Sequence, residues 1–199
     1  MRRIETTIVR GLLVIGFGLA GLRSAAAQTK GVELNGFAGI YGPTDKEGLQ
    51  GTREALRRGS VAFGGRLTYW TGKALGIEFT GAFSPARVRV SSNAGQFARS
   101  TAVALGSGKL MFNLTPGSKL FGIAVGGGVA GVHTGKTVAV PTASTTDIGG
   151  VGGLSLRLHV GENVALRGDF EDYFYNGNFG RGAKFTQDLV ASAGLSIKF

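Results

Sequence analysis

From Val32 onward the chain alternates apolar with polar or small residues, and no segment keeps a helical period. Strict alternation marks a strand with two unlike faces. Eight such stretches follow one another. The first, Val32 to Tyr41, sets Val32, Leu34, Ala38 and Ile40 against Glu33, Asn35 and Gly39. The second, Ser60 to Trp70, sets Val61, Phe63, Leu67 and Tyr69 against Gly64, Arg66 and Thr68. The third, Leu75 to Val90, sets Ile77, Phe79 and Phe83 against Glu78, Thr80 and Ala82; Pro85, Arg87 and Arg89 mark an end that leaves the apolar environment. The fourth, Ser100 to Leu114, finishes with Leu110, Phe112 and Leu114 in phase, and its phase is unclear around Gly106 and Gly108, where a bulge is expected. The remaining four are Leu120 to Thr134, Ile148 to Val160, Val164 to Tyr175 and Phe185 to Phe199.

The connections alternate in length. Polar loops at Gly42 to Arg58, Ser91 to Arg99, Gly135 to Asp147 and Asn176 to Lys184 alternate with turns at Thr71 to Ala74, Thr115 to Ser118 and Gly161 to Asn163. Eight strands with one apolar face and long loops on one side only predict a closed, all-β, antiparallel up-and-down transmembrane barrel. Such barrels pair long outer loops with short periplasmic turns. Hydrocarbon tolerates no unpaired sheet edge, so the sheet must close.

Residues 1–27 stand apart from this pattern. Arg2, Arg3 and Arg10 precede an apolar run from Gly11 to Leu22, and Ala25 and Ala27 frame a small-x-small cleavage site. This is the form of a secretory signal peptide. The run is shorter than the roughly 20 residues of a membrane helix. The expected domain is therefore 28–199, exported to the outer membrane of a Gram-negative cell. Losing the leader's four Arg and one Glu lowers the formal charge from +10 to +7. Export removes the chain from nucleic acid, and the charge is suited to anionic lipid headgroups. Glycine fills 36 of 199 positions, against a usual share of about 7%. That share disfavours helices and suits curved sheets. Cysteine is absent, which removes disulfides and thiolate metal sites.

An eight-stranded barrel has an interior that side chains fill. The inward face carries charges of both signs: Glu33, Glu78, Asp169, Glu171 and Asp188 against Arg66, Arg157, Arg167 and Lys198. An unpaired buried charge costs several kcal/mol, so these groups are expected to form one paired network. On the outside, Tyr69, Phe112, Phe121 and Phe199 fall near the periplasmic ends, and Phe83, Phe174 and Phe185 near the outer ends. That is the placing of two aromatic girdles.

The last strand, Leu195-Ser196-Ile197-Lys198-Phe199, resembles the C-terminal signal by which outer-membrane barrels are recognised for assembly, with Leu195, Ile197 and Phe199 in alternating apolar positions. Segments such as Phe63-Gly64-Gly65-Arg66-Leu67, Gly76-Ile77-Glu78-Phe79 and Leu166 to Tyr173 are similar to strands of the outer membrane protein beta-barrel domain, the small eight-stranded family of outer-membrane proteins A, X and W. The resemblance implies insertion by the barrel-assembly machinery and a monomer in lipid.

Catalytic and cofactor chemistry finds little support. Gly126-Gly127-Gly128-Val129-Ala130-Gly131 satisfies G-x-G-x-x-G, but no helix follows to make a dinucleotide site. His133 lacks a clear partner. His159 shares a face with Ser155 but lacks the orienting group a nucleophilic pair needs, and the lipid A deacylases of the barrel type place their pair on the outer face instead. No cofactor or metal is expected. Functional variety is expected in the outer loops. Lys46, Arg53, Arg57 and Arg58 in the first loop, and Arg181 and Lys184 in the fourth, are candidates for contact with lipopolysaccharide phosphates. The leading expectation is a non-enzymatic barrel with a structural or surface-interaction role. The rivals are a narrow transporter of small or apolar molecules, a lipid-modifying enzyme, and a soluble ligand-binding barrel.

Overall fold

The computed structural model describes residues 31–44, 46–47, 52–85, 87–92, 95–135, 144–178 and 183–199. The cleavage-site residues Ala25 and Ala27, and Arg181, lie outside them.

Among the described residues there are twelve strands: β1 (Gly31–Pro43), β2 (Lys46–Glu47), β3 (Thr52–Arg58), β4 (Ser60–Trp70), β5 (Leu75–Ser84), β6 (Arg87–Ser92), β7 (Gly95–Ser100), β8 (Val103–Asn113), β9 (Phe121–Thr134), β10 (Thr145–His159), β11 (Val164–Asn178) and β12 (Ala183–Lys198). Eight of them close into an antiparallel barrel in the order β1-β12-β11-β10-β9-β8-β5-β4, so every barrel strand pairs with its chain neighbours in the ring. Closure runs from Glu33↔Lys198 to Pro43↔Asp188. The barrel strands are 10 to 16 residues long, against the roughly 9–11 needed to cross hydrocarbon on a tilt.

The barrel is inverted relative to a soluble protein. Arg66 and Arg167 are each 2% exposed and Glu78 is fully buried, while Phe79 is 60% and Ile148 81% exposed. Soluble monomers rarely expose a contiguous apolar patch beyond a few hundred Å², and here apolar side chains dominate the wall on every barrel strand. The proposed girdle aromatics all stand on it: Tyr69, Phe112, Phe121 and Phe199 toward the short-turn end, Phe83, Phe174 and Phe185 toward the other. Phe63 joins Phe83 there, with ring centroids 5.5 Å apart. This is a transmembrane barrel, whose short turns mark the periplasmic end.

Two sequence expectations change. The fourth barrel strand has no bulge: β8 keeps unbroken register with β5 and β9 across Gly106 and Gly108. Its phase looked unclear because Val103 and Leu105 face inward while Ala104 and Gly106 face out. Secondly, the first two outer connections are not plain loops. β2, β3, β6 and β7 form a separate four-stranded sheet in the order β2-β3-β6-β7. Only Gly59 separates β3 from β4, and Pro85 with residue 86 separates β5 from β6. The hairpin that turns at residues 71–74 therefore continues past the barrel rim. Pro85 ends the barrel part of the stretch read as one strand to Val90, because proline cannot donate to the ladder. At that point the Ser84 hydroxyl donates to the Val61 carbonyl (2.9 Å) and meets Ser60 Oγ.

Candidate functional site: the filled lumen and its two ends

Inward positions on six strands converge at mid-barrel. Arg167 Nη2 lies 2.7 Å from Asp169 Oδ1 and 2.7 Å from Glu78 Oε2. Arg66 reaches Asp169 (3.2 Å) and Glu171 (2.7 Å). Lys109 Nζ meets Glu171 Oε1 and lies 2.9 Å from Glu78 Oε1. The pairs close a ring of alternating charge: Arg167, Asp169, Arg66, Glu171, Lys109, Glu78 and back to Arg167. A branch leaves it at Arg167, which lies 3.5 Å from Glu33; Glu33 in turn accepts from Arg157 Nε (3.1 Å). Four cations balance four carboxylates. Neutral donors and acceptors complete the coordination. The Thr68 hydroxyl donates to Glu78 (2.6 Å), Trp70 Nε1 to Glu33 (3.0 Å), and Arg66 to Asn35 Oδ1 (3.1 Å) and Ser192 Oγ (3.0 Å). The Arg66 guanidinium also lies 3.8 Å from the centre of the Phe37 ring, a cation–π contact.

Close approach explains one glycine here. A Cβ at Gly64 would lie 2.7 Å from Phe37 Cζ, on the ring that carries Arg66.

Of the nine charges expected inside, eight are buried there and Lys198 is not. Lys198 is on the inward side of β12 at its last residue, but it stands exposed at the periplasmic mouth. At a strand's end, facing inward no longer means being enclosed. Its place in the charge balance belongs to Lys109, 4% exposed and absent from the sequence reading. Asp188 lies toward the outer rim, away from the ring, where the Tyr175 hydroxyl donates to it (2.7 Å). Above the ring the lumen turns apolar: Tyr41, Val103, Leu105, Val132, Val151, Tyr173 and Val190 pack as one buried cluster. Below it, Trp70, Met111 and Ala124 form a smaller one. Along the barrel axis the lumen thus runs from the small apolar cluster through the charged ring to the apolar cap.

The two histidines separate. His133 stands on the outer face, and its Nδ1 lies 2.8 Å from Thr146 Oγ1, so it does have a partner. His159 lines the periplasmic mouth. Ser155, buried deeper on the same face, has no hydrogen-bond partner at Oγ, so no Ser–His bond exists. At the other end, Lys46 lies on β2, Arg53, Arg57 and Arg58 on β3, and Lys184 on β12. The four strands of the outer sheet carry seven Lys and Arg residues against two Glu. Asp172 departs from the apolar outer wall. It faces outward between Phe170 and Phe174 and accepts from Gln187 Nε2 on β12 (3.2 Å).

Fold and lumen together define a small eight-stranded outer-membrane barrel. Among solved structures, the chain is similar to the outer membrane protein OprG of Pseudomonas aeruginosa, with TM-score 0.64 and 17% identity over 86% of this chain and 96% of that one. It is also similar to the N-terminal β-barrel domain of Pseudomonas aeruginosa OprF (TM-score 0.54, 12% identity, 87% and 100% covered). A third is Ail, the attachment invasion locus protein of Yersinia pestis, solved in complex with the heparin analogue sucrose octasulfate (TM-score 0.50, 11% identity, 87% and 100% covered). At these identities the likeness is one of fold. No protein-family model and no curated protein matches the sequence.

Proposed function

We propose that this is a non-enzymatic integral outer-membrane protein that acts at the cell surface through its outer sheet. The supporting observation is the division of labour along the axis. A neutral charge ring and an apolar cap occupy the lumen, which leaves the cationic sheet as the part built toward the outside. Its partner in this reading is the phosphate layer of lipopolysaccharide, since arginine pairs bidentately with phosphate oxygens. Ail, a barrel of the same fold, binds a sulfated polyanion. Replacing Arg53, Arg57 and Arg58 together by Gln is expected to weaken binding of refolded protein to immobilised lipopolysaccharide by roughly tenfold or more at low salt. Each rim charge contributes about 0.5–1 kcal/mol. Unchanged binding counts against the surface role.

One observation favours transport of small apolar molecules as a second reading. A groove of about 590 Å³ opens on the outer wall near the rim, lined by Ile40, Val61, Phe170 and Leu189, and it reaches the buried Tyr41. The readings separate in reconstituted bilayers. A filled lumen gives no stepwise ion conductance and no accelerated entry of an apolar fluorophore into protein-bearing liposomes. Faster entry without conductance supports the groove as a route.

A further inference from the structure

At the periplasmic end the lumen opens into a cavity of about 280 Å³ that the ring and the outer sheet do not use. Its walls come from two turns and two strand ends: Lys73 in the first turn, Ser118 in the second, and His159 and Lys198 at the ends of β10 and β12. Trp70 and Arg157 close its inner side, with the guanidinium 4.9 Å from the indole centre.

The chemistry of this cavity is one-sided. The carboxylate lining it is Glu33, already engaged by Arg157, Arg167 and Trp70. Since the buried ring is neutral without them, Lys73 and Lys198 add two positive charges that the ring does not balance. Arg157 Nη2 has no hydrogen-bond acceptor, although the side chain is 5% exposed. A buried guanidinium N–H left without an acceptor is unfavourable, the more so because it is charged. The neutral groups also present donors: Ser118 Oγ already accepts the Phe121 N–H (3.2 Å), which frees its own proton. Space is kept open opposite. A Cβ at Gly122 would sit 3.5 Å from Arg157 Cβ and 3.9 Å from His159 Nε2, filling the floor between them.

We propose that the periplasmic mouth binds a phosphate group, held by Lys73 and Lys198 at the rim and by the Arg157 guanidinium at the floor. A cavity rich in donors and short of free acceptors recognises an oxyanion, and its volume suits one phosphate with a small substituent. The group has two available sources, a free periplasmic solute or an inner-leaflet phospholipid headgroup reaching over the rim.

Trp70 is the chain's single tryptophan and lines the cavity, so its fluorescence reports occupancy. The full-length refolded barrel in non-ionic detergent is titrated with inorganic phosphate, with chloride at matched ionic strength as control. In a second arm, in phosphate-free buffer, Trp70 emission is compared between nanodiscs of digalactosyldiacylglycerol, a lipid without phosphate, and nanodiscs of the same lipid containing phosphatidylglycerol. A saturable change with phosphate and not chloride identifies a free solute. A change with phosphatidylglycerol identifies the lipid headgroup. In either case the K73Q/K198Q variant, which leaves the charge ring intact, is expected to bind roughly tenfold more weakly. Heat-modifiable migration checks that it folds. No saturable change in either arm, a response equal to that of chloride, or unaltered binding by the double variant overturns the proposal.

Discussion

Arg167 shows how much rests on a single side chain in this lumen. Its guanidinium touches Glu33, Glu78 and Asp169, so it closes the ring and carries the branch toward the mouth. Arg167→Met leaves a net negative charge in a closed interior, and breaking a buried pair from one side costs about 3–5 kcal/mol. Urea unfolding of the micelle-refolded barrel should show a loss of that size. Adding Glu78→Gln restores neutrality, so the double variant is expected to lose less than the sum of the two single changes. Additive losses would mean that Arg167 and Glu78 do not act as a pair. The same ring marks what the sequence made legible at this scale. Alternation against a clear apolar outer face was enough to turn Arg66, Glu78, Arg157, Arg167, Asp169 and Glu171 inward. Lys109 was missed although Leu110 and Phe112 already placed it on the opposite face. The ambiguity arose upstream, where the upper lumen is apolar and the facing wall is Ala and Gly, so hydropathy no longer separates inside from outside. Trp70 was left unassigned although Tyr69 beside it already placed it on the inward face, where its N–H bonds to Glu33.

Among the strands, those in lipid and those beyond it follow different rules. Barrel strands need one continuous apolar face, and that face is visible in the sequence. β2, β3 and β7 carry no such face in the sequence and read as polar loop, whereas most of β6 reads as the end of the third strand. Their pairing depends on register inherited from below: Tyr41↔Ser60 aligns β1 with β4 at the rim, and Phe63↔Phe83 aligns β4 with β5. This dependence runs one way. Replacing residues 45–58 by a short Gly-rich turn removes β2 and β3 but leaves every barrel pair, including Thr44 N–H to Gln187 O at 3.0 Å. The shortened protein should still migrate as a heat-modifiable barrel, with stability within about 1 kcal/mol of the full chain, as for changes away from a packed core. A larger loss would show that the outer sheet supports the barrel as well as extending it.

For the molecule as a whole, the inverted distribution of polarity means that the folded state needs an apolar phase around it, lipid or detergent, and in the cell assembly has to deliver the chain to lipid. Phe199 bears on that delivery. Its ring stands on the outer wall at 46% exposure, and its backbone N–H donates to Val32 O (2.8 Å) just beyond β12. The preceding Lys198 N–H bonds to Asn163 O (2.8 Å), and the closing ladder with β1 is complete at Glu33↔Lys198. Removing Phe199 therefore takes one backbone hydrogen bond and one girdle ring from a barrel that stays closed. A single hydrogen bond contributes about 0.5–1.5 kcal/mol net, so the equilibrium loss is small. The resemblance of Leu195, Ile197 and Phe199 to an assembly signal places the larger effect on rate. Insertion into liposomes carrying the barrel-assembly machinery, followed by appearance of the heat-modifiable band, should slow several-fold in the shortened chain. The urea midpoint of protein already inserted should fall only slightly. Equal insertion rates with and without Phe199 would reduce this residue to a girdle aromatic.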